Sequence, residues 1–419
     1  MTESLGVYWG GFLNSPIPLE FSLNWCSHAC HYCYANLNSP NRTTDMGQIM
    51  GLLSNYNDRT TYAAQLLKMG YPVLCSTHVD FFAKSNVQQS IPLMELMNEL
   101  DIKFAISTRG GDHYIEVIKK LPPKAIYFSV TTLDDDISIR VEPGAPLPSE
   151  RLKMIEQSVE FGHRVVVGIN PTVPEWISDP IALMQSLKDV GVEGILSQPL
   201  HLNNRQIANI SDRGLAALGE SVLSRGKKRN RDKETTDLVN QIQSIATDMG
   251  LSIRDLGQSR RSDCWRPFKD IYPVLMPTLQ DFVNYCWDSG KTEGDIIEFE
   301  EFRDFFLPEL PQGIFPLRNH LNATQNRKWC AEWNEVIPKN MTYESLLYWV
   351  WKLNDIAYCP VNAMTFRWAG ELDTDGEWIK YTDSNEMPFM IFTPSATKNE
   401  VMTAVELVTI ESGSEASIC

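Results

Sequence analysis

Over its first 260 or so residues the chain alternates short apolar runs with longer amphipathic stretches. The apolar runs are Pro18–Asn24, Tyr71–Thr77, Lys103–Thr108, Ala125–Val130, Val165–Asn170 and Gly194–Ser197, each short enough for a strand. Between them, apolar residues recur at helical spacing in 46–53, 60–69, 91–100, 114–120, 149–161 and 180–190, with Ala63, Ala64, Leu66 and Leu67 as the clearest example. A helix over 235–249 and a short strand over 251–254 continue the rhythm. Strand–helix alternation of this kind predicts βα units and a parallel sheet. The expected fold is α/β, a partial (β/α)6 TIM-type barrel over residues 1–262. Functional residues then belong at the C-terminal ends of its strands.

Beyond residue 262 the rhythm stops. Residues 263–419 are rich in aromatics, among them Trp265, Tyr272, Trp287, Phe299, Phe302, Trp329, Trp333, Trp349 and Trp351. They predict a mainly helical, Trp-rich C-terminal domain that binds or caps a substrate. It ends in a hairpin of Thr365–Trp368 with Trp378–Tyr381, turning at Asp373–Gly376. The residues from about Glu411 read as a frayed end.

Composition adds exclusions. Of the 419 residues, 43% are hydrophobic and 21% charged, which suits a packed core. No apolar run is long enough to cross a bilayer, so no membrane association is expected. Nine cysteines without a regular framework are not a disulfide scaffold and fit a reducing, cytoplasmic compartment. A net charge of −16 argues against tight non-specific DNA binding. The one basic run, Ser224–Lys233, is either a solvated loop or a phosphate-contacting one.

The candidate chemistry sits in Cys26-Ser27-His28-Ala29-Cys30-His31-Tyr32-Cys33-Tyr34, just after the first strand. Three thiols at C-x3-C-x2-C can converge on one metal centre. An iron–sulfur cubane normally takes four cysteine sulfurs, so three leave one iron open for chemistry. The alternatives are a zinc site, with His28 or His31 as fourth ligand, and three unrelated buried cysteines. Cys264, Cys286, Cys330 and Cys359 are scattered through the second domain without a C-x-x-C pair, and read as packing residues, with an auxiliary cluster as the alternative.

This loop resembles that of the radical S-adenosylmethionine (SAM) enzymes, and the resemblance extends over roughly residues 18–200. Within that superfamily it is similar to the spore photoproduct lyase-like branch, which has tyrosines at the places of Tyr32 and Tyr34. Ser76–Phe82 resembles the branch's S-x-x-S-D-P-F, with Val79 and Phe81 as departures; Ile106–Arg109 resembles I-T-K, with Arg109 for the lysine. Phe128–Thr132, Glu142-Pro143-Gly144-Ala145-Pro146 and Arg151-Leu152 follow in the branch's order, and Val167–Pro171 continues the match.

The resemblance implies a [4Fe–4S] cluster on Cys26, Cys30 and Cys33, with SAM on the open iron. One electron, from a flavodoxin- or ferredoxin-type donor, then yields a 5′-deoxyadenosyl radical that abstracts hydrogen. It implies that Tyr32 packs on the adenine and that Thr77 or Asp80 meets the SAM ammonium. Arg109 would pair with the SAM carboxylate, and Ser129 and Thr131 would reach the ribose. Glu142-Pro143 would shape the connection and Arg151 would anchor the next helix. Cys75 and Tyr34 would relay a hydrogen atom. His201 and Asn203 are further substrate contacts. The substrate is a modified nucleobase or nucleic acid, as the branch suggests, or else a peptide or small metabolite. The rival reading is a non-catalytic zinc-binding interaction protein.

Overall fold

The computed structural model describes residues 6–7, 12–21, 23, 25–35, 46–75, 79–228, 232–253, 263, 265–321, 336–353, 366–374 and 378–393. Thr77, Cys264, Cys330, Cys359, Trp329, Trp333, the centre of the 373–376 turn and the chain from Glu411 lie outside them. Two compact units emerge. One gathers Met1–Val7, Ile17–Arg254 and Asp263–Leu275; the other gathers Tyr8–Pro16, Asp255–Ser262 and Met276–Cys419.

The first unit is built on an eight-stranded sheet in sequence order: β1 (Gly6–Val7), β2 (Leu19–Phe21), β3 (Val73–Cys75), β4 (Phe104–Thr108), β5 (Ala125–Ser129), β6 (Arg164–Thr172), β7 (Gly194–Pro199) and β8 (Ser252–Ile253). β1 is antiparallel to β2, and the seven strands from β2 to β8 are parallel. This is the expected α/β architecture, with one more parallel strand than a six-stranded barrel. The helices form where the sequence supplies caps. Thr61, Asp134, Asp179 and Asp232 each accept a backbone N–H three residues on. Gly70, Gly162, Gly191 and Gly250 close crossover helices at positive φ, where a side chain is disfavoured.

Side-chain alternation divides the sheet into two faces. Cys75, Ile106, Ile126, Phe128, Val165 and Val167 share the face packed by helices, and all are fully buried. Rings run across this face as edge-to-face neighbours: Phe21–Phe81, Phe81–Phe82, Phe82–Tyr114 and Tyr114–Phe128, at centroid distances of 5.7, 5.5, 4.9 and 5.2 Å. Such pairs contribute about 0.5–1.5 kcal/mol each beyond area burial. They also fix the 79–86 loop that follows β3.

The opposite face lines the barrel lumen. Its lower part is apolar, where Ala105, Ala125, Val166 and Leu196 pack with Ile17, Phe268 and Tyr272. The Tyr272 hydroxyl donates to Phe104 O (2.5 Å) and accepts from Ala125 N (3.2 Å), which locks this plug in place. Above it, towards the C-terminal ends of the strands, the face turns polar with Ser107, Tyr127, Ser129, Asn170 and Gln198.

The second unit packs the helices Leu279–Asp288, Phe299–Phe306 and Tyr343–Lys352 with a sheet ordered β10 (Phe366–Trp368), β13 (Met390–Phe392), β9 (Ile296–Ile297). Phe282 is the hub, with ring centroids of Phe302, Phe306 and Phe366 at 5.3, 5.7 and 5.7 Å. The expected hairpin is present with a shifted first strand: β11 (Gly370–Leu372) pairs with β12 (Trp378–Lys380). Phe366–Trp368 pairs instead with Met390–Phe392, where the inward Phe366 and Trp368 become buried.

Candidate active site

The cysteine loop leaves the end of β2 and is fastened on two sides. On one side, Ser85 Oγ accepts from Ser27 N (3.1 Å) and donates to Trp25 O (3.4 Å), and Ser85 N donates to Ser27 Oγ (3.3 Å). On the other, His31 N donates to Val141 O (3.0 Å) and Gly144 N donates to His28 O (2.9 Å). Gly144 has to be glycine, because a Cβ there would lie 2.1 Å from Ser27 O. Between the thiols, Ala29 adopts a left-handed conformation (φ 52°), at a cost of about 1–2 kcal/mol that the fasteners offset.

Two buried carboxylates tie these fasteners together. Asp80 Oδ1 accepts from Phe82 N (2.9 Å) and Thr108 Oγ1 (2.7 Å), and Oδ2 accepts from Arg109 N. His28 Nε2 lies 3.0 Å from Asp80 Oδ2, a close charge contact whose angle falls short of a hydrogen bond. Burial works against the Asp80 charge, but His28 and the three donors outweigh it and hold the carboxyl below its ordinary range. His28 Nδ1 faces Gly144 O at 3.1 Å. Both His28 nitrogens are therefore turned to partners other than the thiols.

The second carboxylate is Glu142. Its Oε1 accepts from Tyr32 Oη, from Arg109 Nε (3.3 Å) and from Thr131 Oγ1 (3.2 Å), and its Oε2 accepts from Arg151 Nη2. Arg151 is fully buried and also donates to Pro146 O (2.8 Å) and Ser129 O (3.1 Å). Despite burial, the two guanidiniums and the Tyr32 hydroxyl draw the Glu142 pKa down to about 2. Arg109 Nη2 donates to Tyr32 Oη at 3.2 Å, and the Tyr32 ring lies 5.4 Å from Trp176. Burial, then the neighbouring Glu142, pushes the Tyr32 phenol up.

Cys26 and Cys33 are half-buried and Cys30 is buried. Burial and then Asp80 push the Cys26 thiol up to about 12. Burial raises Cys30 as well, and Arg109 opposes it. A thiolate at Cys26 or Cys33 would raise Cys30 further. Among the described residues no three His, Cys, Asp or Glu groups converge on a single-ion site.

Of the other sequence-selected residues, Ser129 and Thr131 are buried at and just past the end of β5, beside Glu142 and Arg151. Asp80, Arg109, Tyr32, Ser129 and Thr131 thus gather around the cysteine loop, while Thr77 falls outside the described residues. Tyr34 is 45% exposed. Cys75 is fully buried on the helix-packed face. Asn203 caps the helix Asn204–Ala208, accepting from Gln206 N at 2.8 Å. In the basic run, Arg225 pairs internally with Glu175 (2.8 Å) and Asp232 (2.7 Å). Cys286 is buried. Sequence reasoning missed the Asp80–His28 contact and the anchoring of Tyr32 and Arg109 by Glu142. A lone histidine between two cysteines, followed far on by Glu-Pro-Gly, was the only signal of either.

A parallel α/β sheet with a thiol-rich loop fastened at the C-terminal ends of its strands defines a barrel-type domain whose candidate chemistry sits at its mouth. The model of the Radical SAM superfamily matches residues 22–186, and that stretch of the chain is a radical SAM domain. An uncharacterized protein, ORF301 of Acidianus two-tailed virus, is 25% identical over 217 residues, 48% of this chain and 71% of that protein. A mutant spore photoproduct lyase with bound AdoMet and dinucleoside spore photoproduct superposes with a TM-score of 0.40 at 13% identity, over 54% of this chain and 72% of that one. SuiB of Streptococcus suis bound to S-adenosylmethionine gives a TM-score of 0.36 at 14% identity, over 57% and 47%. Among the described residues no helix is long and apolar enough to cross a membrane.

Proposed function

We propose that Cys26, Cys30 and Cys33 hold a [4Fe–4S] cluster in an enzyme of the spore photoproduct lyase-like branch acting on a modified nucleobase. The observation that carries this reading is the donor set. Three thiols share one fastened loop; of the two candidate fourth ligands, His28 has its ring nitrogens turned to Asp80 and Gly144 O, and the His31 ring packs near Gly214. Such a set fits a cluster with one open iron better than a closed zinc site. With SAM bound, the cluster supplies one-electron cleavage of the sulfonium and hence hydrogen-atom abstraction from a C–H bond.

The chain's own residues position that chemistry. Arg109 is held by Glu142 and Tyr32 through Nε and Nη2. Its Nη1 donates to no described residue and is the group we assign to the SAM carboxylate. Tyr32, clamped between Glu142 and Trp176, offers a fixed ring for the adenine. Ser129 and Thr131 take the ribose side, with Thr77 and Asp80 towards the ammonium. Asp80 acts there mainly through the loop it holds. Trp25, 61% exposed, and Tyr34 flank the thiols and suit the docking of a flavodoxin- or ferredoxin-type donor. Tyr34 is the relay candidate, and Cys75, under the helices, serves the core.

Anaerobic reconstitution with iron and sulfide tests the reading. The expected result is a brown protein with about four iron per chain that cleaves SAM when dithionite is added. Stoichiometric zinc with no SAM cleavage overturns it.

A further inference from the structure

One lumen feature is used by none of the roles above. Gln198 lies two residues past the lumen-facing Leu196 on β7, and Asn170 stands beside it on β6, just past the pair Ile169–Ser197 where the β6–β7 register shifts. Asn170 is exposed and Gln198 half-buried. Asn170 Nδ2 donates to Gln198 Oε1 at 3.3 Å, so the two amides stand side by side. One pleat below, the Tyr127 phenol crosses directly over Gly168; a Cβ at Gly168 would lie 1.5 Å from Tyr127 Oη. Gly168 pairs with Ser129 across β5 and β6, which sets Asn170 beside the ribose-side residues of the site.

The pairing leaves Asn170 Oδ1 as an acceptor and Gln198 Nε2 as a donor, with no further partner among the described residues. If both amides are turned over, Gln198 donates to Asn170, and the remaining groups are still one donor and one acceptor. The lip therefore presents an adjacent donor–acceptor edge in either orientation. Within one trans peptide unit the N–H and C=O point to opposite sides. A ring that carries an N–H next to a C=O can satisfy both groups of the lip at once.

We propose that Asn170 and Gln198 form the substrate-recognition edge of the barrel mouth, reading the lactam or imide edge of a nucleobase. The inference rests on the nucleobase reading of the proposed function and deepens it. A single Asn or Gln amide reads the donor–acceptor edge of adenine bidentately; here the donor and the acceptor come from two neighbouring amides.

The test is equilibrium binding to the full chain, metal-free and after reconstitution, followed by ligand-observed NMR. The probes are thymidylyl-thymidine and the same dinucleotide methylated at both N3 positions. Wild type is expected to bind the first about tenfold more tightly than the second. N170A and Q198A are each expected to abolish that discrimination with the unfolding midpoint unchanged. Equal binding of the two probes by wild type, retained discrimination in both variants, or no binding of thymidylyl-thymidine overturns the proposal. Iron content is measured on the same samples. A wild-type chain that discriminates but takes up no iron sinks the cluster reading and leaves the amide edge standing; iron uptake without discrimination does the reverse.

Discussion

The two carboxylates that fasten the cysteine loop do the same job by different physics. Asp80 sits among neutral donors, Thr108 Oγ1 and two backbone N–H groups, and meets a histidine ring. Glu142 sits between two guanidiniums, one of them fully buried. The Asp80 side is a hydrogen-bonded joint. The Glu142 side is a charge cluster, whose members are expensive to separate. One loop is thus secured by satisfied dipoles on one flank and matched charges on the other.

The largest effect should come from breaking the charge cluster. Glu142→Gln keeps the shape and leaves Arg151 buried without its counter-charge, so a loss of about 3–5 kcal/mol is expected in urea unfolding. Replacing Arg151 by Met in the same chain should recover part of it, because the orphaned charge is then gone. A single-variant loss under about 1 kcal/mol would show that the cluster is not the anchor.

Asp80→Asn should cost less, about 1.5–3 kcal/mol, since the amide oxygen still accepts while the charge-assisted component is lost. His28→Ala is expected to fall in the same range or below. If Asp80→Asn cost more than Glu142→Gln, the contrast between the two flanks would be reversed.

Acid separates the flanks as well. The Glu142 pKa of about 2 lies below its ordinary value of 4.5. A depressed carboxyl gives stability that is present above about pH 4.5 and is lost as pH falls towards 2. The lowering corresponds to about 3 kcal/mol by linkage. Asp80 is shifted in the same direction. Acid unfolding of the metal-free chain should therefore flatten over this window in Glu142→Gln. An unchanged acid limb would remove Glu142 as its source.

How much of this was legible in the sequence depends on what fixes each feature. The strands from β3 to β7 were, because runs such as Val165–Ile169 are apolar over both faces of the sheet. The thiol spacing was legible for the same local reason. The hairpin register was not. Phe366–Trp368 and Gly370–Leu372 both precede the turn, and only the arrival of Met390–Phe392 decides which of them it covers. His28 read as a spare metal ligand because its partners, Asp80 and Gly144, are 52 and 116 residues away along the chain. Asn170 read only as part of the Val167–Pro171 match, and Gln198 was not singled out, because their side-by-side placement arises across β6 and β7 and not along the chain. Arg225 read as part of a basic run until Glu175 and Asp232 were seen to neutralise it.

The smallest effect separates the loop's fasteners from its thiols. Cys75 and Cys33 are both free cysteines, yet one lies under the helices and the other on the loop. Cys75→Ala removes a fully buried sulfur and should cost about 1 kcal/mol or slightly more, since only a small volume is vacated. Cys33→Ala is half-exposed and should stay within about 0.5 kcal/mol in the metal-free chain. Iron uptake should order them the opposite way, retained in Cys75→Ala and lost in Cys33→Ala. Stability and metal loading then report on different atoms of the same neighbourhood. Should Cys75→Ala also lose iron, the division of the sheet into a packed face and a reactive mouth would have to be redrawn.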